Sequence, residues 1–304
     1  MADVPNITPS DVATIVPDAS DISFLADGGQ KRVFKCKIGG QPWVLKFMLI
    51  GDVPAVPDPE DELITSFDSG ADVLARAQRE VDTMVRCECP SLVKLGPISL
   101  QRITFAGKDL LYFSEEYVDG ESVWDVLRNG GQLPIAEAVQ MAVDVTEAVK
   151  ALWAEARIHR DIKPRNTMRR RDGRFVLLDA GMAFDLSDES ITGAGIVMGT
   201  RAYLSPEQMD VTHKRQLDFR SDLFSLGITL YEAVTGQHPF MSKGSSGMEV
   251  LGRILQATPA SPRSLRSNVP VALEQIIMRL LAKRPHLRYR TCDRLIAALR
   301  AVPV

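Results

Sequence analysis

The chain has 304 residues, 45% apolar and 25% charged, with a formal net charge of −3; that allows one large domain or two lobes with sizeable cores, and gives no global basic field for nucleic acid. No apolar run approaches the ~20 residues that span a bilayer, and Met1–Ser20 carries acids but no basic n-region, so neither a membrane helix nor a secretory signal is expected. Cys36, Cys87, Cys89 and Cys292 match neither a disulfide framework nor a four-ligand zinc pattern, which points to a reducing, cytoplasmic setting with Cys87 and Cys89 as ordinary thiols.

Residues 1–20, rich in Pro, Asp and Ser with little periodicity, read as a loose leader. From Ile22 to Phe47 the pattern is strand-like: Val33–Ile38, a Gly39-Gly40 turn and Trp43–Phe47 predict a hairpin. Gly51–Gly70, with Pro54, Pro57, Pro59 and the acids 60–62, reads as an exposed insertion. Apolar residues at Val73, Leu74, Ala77, Val81, Met84 and Val85 predict a helix over Asp72–Arg86. Strands around Leu92–Ser99 and Leu110–Glu115 complete a small β-rich half, and Glu116–Gly120 is a connector. Beyond it the pattern is helical: Glu121–Arg128, Ile135–Ala156 with Pro134 near its first turn, Leu223–Thr235, Met248–Gln256, Val271–Ala282 and Cys292–Ala301. Arg169-Arg170-Arg171 reads as a solvated turn between strands. The elements predict an α+β chain with a small β-rich lobe over 21–116 and a larger, mainly helical lobe over 117–304.

His159-Arg160-Asp161-Ile162-Lys163-Pro164-Arg165-Asn166 concentrates a carboxylate, an ammonium and an amide on one predicted loop. Asn166 lies five residues after Asp161, and Asp179 of Leu177-Leu178-Asp179-Ala180-Gly181 lies eighteen after it. Phosphoryl transfer from ATP needs an acid to orient the nucleophile, a cation at the transferring phosphate and oxygen ligands for Mg²⁺. Either motif alone also suits a polar surface turn; the pair at this spacing is far more specific. With Val44-Leu45-Lys46-Phe47 and Ser205-Pro206-Glu207 in the expected order, the chain resembles the Hanks-type Ser/Thr protein kinase family over about residues 22–300, and the resemblance implies the bilobal kinase fold.

The resemblance implies that Asp161 accepts the substrate hydroxyl proton and Lys163 neutralises the transferring phosphate, a Lys at this offset being typical of Ser/Thr kinases. It makes Asn166 and Asp179 the Mg²⁺ ligands and Lys46 the strand ammonium for the α- and β-phosphates. Glu80 is then the partner of Lys46, with Glu88 the alternative. Leu25–Phe34 stands where the family has its Gly-rich loop; Gly28, Gly29 and Val33 are the nucleotide-covering candidates, while Ala26 and Lys31 replace the outer glycines. There Lys31 or Arg32 supplies charge to phosphates, or the segment is a plain hairpin turn. Glu115 falls at the back of the adenine pocket, where an acid is unusual; Glu116 to Val118 supply main-chain hydrogen bonds to adenine. Ala180 replaces the family's Phe, so packing there passes to Met182 or Phe184.

The same resemblance implies that Thr200 contacts the catalytic loop, Asp222 braces its backbone and Arg288 pairs with Glu207. Arg160 is a candidate partner for a phosphate on Ser187, Ser190 or Thr192, which otherwise are ordinary loop hydroxyls. The expected function is an ATP- and Mg²⁺-dependent Ser/Thr protein kinase acting on protein hydroxyls, with self-association for trans-autophosphorylation and no nucleic-acid or membrane partner. The altered glycine loop and Ala180 keep a pseudokinase scaffold as the alternative. A small-molecule kinase ranks below both, because such enzymes generally lack the Ser205–Glu207 segment.

Overall fold

Successive strands pair with their neighbours into an antiparallel sheet that one helix covers on each face. The computed structural model describes residues 5–28, 31–50, 70–179, 184–185, 202–209 and 217–304. These fall into two compact units, one within Met1–Arg86 and Val93–Tyr117, the other within Cys87–Leu92, Val118–Asp188 and Ile196–Val304.

The first unit holds α1 (Pro9–Ile15), β1 (Ala19–Gly28), β2 (Lys31–Ile38), β3 (Gln41–Leu49), α2 (Gly70–Arg86), β4 (Gln101–Phe105) and β5 (Lys108–Glu116). The strand order is β1-β2-β3-β5-β4, every neighbour antiparallel. On β3, Leu45, Phe47 and Leu49 join Phe34, Cys36 and Leu110 in one core. The period of two sends Lys46 to the opposite face, where Glu80 of α2 meets it. Register pairs Lys46 with Val33 on β2 and with Phe113 on β5.

Residues 9–15 correct the expectation of a loose leader. The polar residues there are a helix cap: the Asp11 N–H donates to Thr8 Oγ1, and Thr8 N–H donates back to the Asp11 carboxylate at 2.8 Å. Ile7, Val12 and Val16 then bury against the sheet core. The strand expected at Leu92–Ser99 is also corrected. Pro97 has no N–H to give, and the segment makes scattered bonds rather than a ladder, among them Gly96 N to Ser114 O and Ser114 N to Ile98 O, both 2.9 Å. The regular strand is β4, joined to β5 through Ala106 and Gly107 at φ 50° and 73°, a turn with both central residues left-handed.

The second unit holds β6 (Gly120–Ser122), α3 (Val123–Arg128), α4 (Ile135–Ala154), β7 (Arg157–Ile158), β8 (Thr167–Arg170), β9 (Phe175–Leu177), β10 (Phe184–Asp185), α5 (Pro206–Met209), α6 (Arg220–Thr235), α7 (Gly247–Gln256), α8 (Pro262–Leu265), α9 (Val271–Leu280) and α10 (Cys292–Arg300). Helix α6 is buried on nearly all sides, as its apolar sequence requires, and packs with α4 and α9. Strands β6, β8 and β9 form a small sheet, and β10 pairs with β7. A side chain at Gly120 would meet the Arg169 carbonyl oxygen at 1.9 Å, so only glycine lets β6 approach β8.

Helix α3 begins two residues later than expected, because Ser122 is its cap and accepts from the Asp125 N–H. Helix α4 stops at Ala154, and Ala156 takes φ 53°. Cys87–Leu92 belongs to the second unit, not to the lobe expected over 21–116: Cys87, Cys89 and Leu92 sit in the helical core, and Leu177 N–H donates to Ser91 O at 2.9 Å. The insertion expected over 51–70 lies outside the described residues except for Gly70. Among the described residues no helix is long and apolar enough to cross a membrane.

Candidate active site

The loop after β7 is built on the buried carboxylate of Asp222, in the first turn of α6. Its Oδ2 accepts the His159 N–H and its Oδ1 accepts the Arg160 N–H, both at 2.8 Å. Those two bonds hold Arg160 at φ 68°, a left-handed backbone that a non-glycine residue keeps only when its surroundings impose it. His159 is fully buried and links onward: its Nδ1 accepts the Asp161 N–H at 3.3 Å, and its Nε2 lies 3.1 Å from the Leu178 carbonyl oxygen. Burial holds the His159 pKa below its usual value. Nδ1 as acceptor and Nε2 as donor describe one neutral tautomer.

This scaffold presents Asp161, Lys163 and Asn166 together. Lys163 Nζ donates to both carboxylate oxygens of Asp161 at 2.8 Å. Asn166 Nδ2 donates to Asp161 Oδ2 at 2.8 Å and to the Asp161 carbonyl at 3.0 Å. Burial holds the Asp161 carboxyl above the usual carboxylate range; Lys163 pulls the other way, and the nearby Asp179 charge adds to the upward push. Asp179 itself sits at φ 65°, just after Leu178, whose N–H donates to Asn166 O at 2.8 Å. With Asn166 Nδ2 committed to Asp161, its side-chain oxygen carries the lone pairs left to bind a cation. That oxygen and the Asp179 carboxylate are the hard ligand types that Mg²⁺ takes, so the residues fit the metal.

In the sheet unit, Lys46 Nζ donates to Glu80 Oε1 at 2.7 Å, both side chains buried. Lys46 also lies 2.8 Å from Glu115 Oε2, and Lys31 lies 3.8 Å from Glu80 Oε2. Glu88 is exposed and belongs to the other unit, which removes it as the partner of Lys46. Val33 sits opposite Lys46 on β2, and Gly28 ends β1 opposite Lys31. Gly29 lies outside the described residues, as do Ala180, Met182, Ser187, Ser190, Thr192 and Thr200, and the side chain of Phe184 does too. Glu116 closes β5, its N–H donating to Lys94 O at 2.9 Å, and Val118 is buried.

Below the loop, Arg288 is wholly buried and donates to both oxygens of Glu207 at 2.5 and 2.9 Å. Sequence reasoning missed the ion pair between Glu115 and Lys46. The signal was present: Glu115 is two residues from Phe113, the register partner of Lys46, so its side chain leaves the same face of the sheet. Among the described residues no group of three or more His, Cys, Asp or Glu side chains gathers as a metal site. Burial pushes the Cys36 thiol up to about 11 and the Cys292 thiol to about 12, and raises Cys89 as well, which disfavours their thiolates.

Residues 64–298 match the family model described as the protein kinase domain. A probable serine/threonine-protein kinase of Clostridium perfringens is 31% identical over 78% of this chain and 33% of its own length. The serine/threonine-protein kinase PknB of Mycobacterium leprae is 33% identical over 74% of this chain and 35% of its own. PknE of Mycobacterium bovis is 31% identical over 83% and 44%. The chain therefore spans less than half the length of these curated relatives. A match over most of its length, joined to the Asp161 and Asp222 loop geometry, makes this chain a member of the protein kinase domain family.

Proposed function

We propose that the chain is an ATP- and Mg²⁺-dependent serine/threonine protein kinase that transfers the γ-phosphoryl group to protein hydroxyls, its own included. The observation that carries this is the buried Asp161 carboxylate held by Lys163 at 2.8 Å and by Asn166 at 2.8 Å. In that setting Asp161 orients the acceptor hydroxyl and takes its proton as the new O–P bond forms and the bond from the γ-phosphorus to the bridging oxygen breaks, releasing ADP, while Lys163 offsets charge on the phosphoryl oxygens. Lys46, oriented by Glu80, meets the α- and β-phosphates. Asn166 and Asp179 hold Mg²⁺, which supplies neutralisation of phosphate charge when bound. Gly28, Gly29 and Val33 cover the nucleotide, and the backbone from Glu116 to Val118 meets adenine. The printed names of the relatives favour a Ser/Thr acceptor. Protein substrates, self-association for trans-autophosphorylation and a cytoplasmic setting belong to this reading.

Incubation with MgATP and a protein acceptor tests it: phosphate on Ser or Thr in the wild type, and none above background in Asp161→Asn. A pseudokinase scaffold is the second reading, favoured by Glu115 on Lys46 and by Lys31 in the place of a glycine. MgATP binding without turnover would select it.

A further inference from the structure

Two departures from the family pattern, Lys31 and Glu115, meet in one ion network. Lys46 pairs in register with Val33 and Phe113. Lys31 is two residues before Val33 and Glu115 two after Phe113, so both side chains leave the sheet on the Lys46 face, on opposite diagonals. Glu80 arrives at that face from α2. The four charges alternate: Lys31 to Glu80 at 3.8 Å, Glu80 to Lys46 at 2.7 Å, Lys46 to Glu115 at 2.8 Å. Side-chain exposures are 27% for Lys31, 1% for Glu80, 8% for Lys46 and 5% for Glu115. Without Lys31 the cluster would hold two buried carboxylates against one ammonium, which a low-dielectric site penalises.

We propose that Glu115 is a positioning residue that competes with nucleotide phosphate for the Lys46 ammonium, and that Lys31 is its counterweight on Glu80. This rests on the kinase reading above. Glu115 acts twice against ATP: its carboxylate lies 2.8 Å from the Lys46 ammonium as a competing ion partner, and its charge repels the phosphates that Lys46 is to meet. Lys31 offsets the second effect by bringing a positive charge to within 3.8 Å of Glu80. The pair sets nucleotide affinity through Lys46 without touching the transferred group.

Glu115→Gln keeps the shape and removes the charge. It is expected to lower the KM for MgATP about fivefold, with a smaller change in kcat, because one close ion pair competes for Lys46. Lys31→Met is expected to raise KM by a similar factor, and the double variant to return close to wild type, as it removes one charge of each sign. Calorimetric titration with MgADP reads the same shifts without turnover. An unchanged or raised KM in a folded Glu115→Gln protein overturns the inference alone, as does a double variant no closer to wild type than Lys31→Met. A wild type that binds no MgATP overturns the kinase reading and this inference together. A merely structural Glu115 would move the melting temperature and leave KM where it was.

Discussion

Arg288 and Glu207, 81 positions apart, form a two-bond pair whose guanidinium has no solvent exposure. Arg288 also donates to the carbonyls of Arg220, Ala282 and Lys283, so it ties the start of α6 to the segment after α9. Replacing it by Leu strands the Glu207 carboxylate and three carbonyls. The expected loss is about 3–5 kcal/mol of unfolding free energy. Chemical denaturation checks this, and Glu207→Leu in the same chain should recover part of the loss, since no lone charge remains.

Asp222 is expected to matter more for turnover than its distance in sequence suggests. Asp222→Ala leaves the His159 and Arg160 N–H groups without their acceptor and frees Arg160 from its left-handed backbone. Two charge-assisted bonds are lost, a cost of about 3 kcal/mol. The Asp161 loop loses its seat, so kcat should fall at least about tenfold. Turnover measured beside a melting curve separates the two effects.

Lys46→Met is expected to cut phosphate incorporation roughly a hundredfold and to destabilise the fold, because Glu80 and Glu115 then face each other buried without their ammonium. Adding Glu115→Gln should restore stability and leave activity low. Recovery of both would mean that Lys46 acts only through packing.

His238 predicts an acid-labile contact. Its Nε2 lies 3.0 Å from the Ala202 carbonyl oxygen, and the Phe240 N–H donates to its Nδ1 at 3.2 Å, so the neutral ring is fully used. Burial pushes its pKa down to about 4 from 6.5. The unfolded chain therefore binds a proton between those values that the folded chain refuses. Stability from this group is complete above about pH 6.5 and is lost as pH falls towards 4, up to about 3 kcal/mol. His238→Gln should show a flatter melting-temperature profile between pH 7 and pH 5 than the wild type.

Much of this architecture was legible because its signals are local. The hairpin from Val33 to Phe47 announces itself by alternation and Gly39-Gly40, and the loop chemistry by the spacing of Asp161, Asn166 and Asp179. Helix α1 was hidden because a capping box has the same Thr, Pro and Asp composition as a disordered leader. The strand Gln101–Phe105 was hidden because Pro97 and Gly96 follow a more apolar run that draws attention to Leu92–Ser99. Glu115 was singled out by its residue type, yet its partner depends on strand register across β3 and β5, which no single segment carries. The assignment of Cys87–Leu92 to the helical core likewise depends on long-range packing.

The account stands on Asp161 as the group that readies the acceptor hydroxyl. Mass spectrometry of the wild type and of Asp161→Asn after MgATP incubation, with a protein acceptor present, measures this directly. The account predicts phosphoserine or phosphothreonine in the wild-type reaction and none above background in the variant. Equal incorporation by both proteins would contradict it.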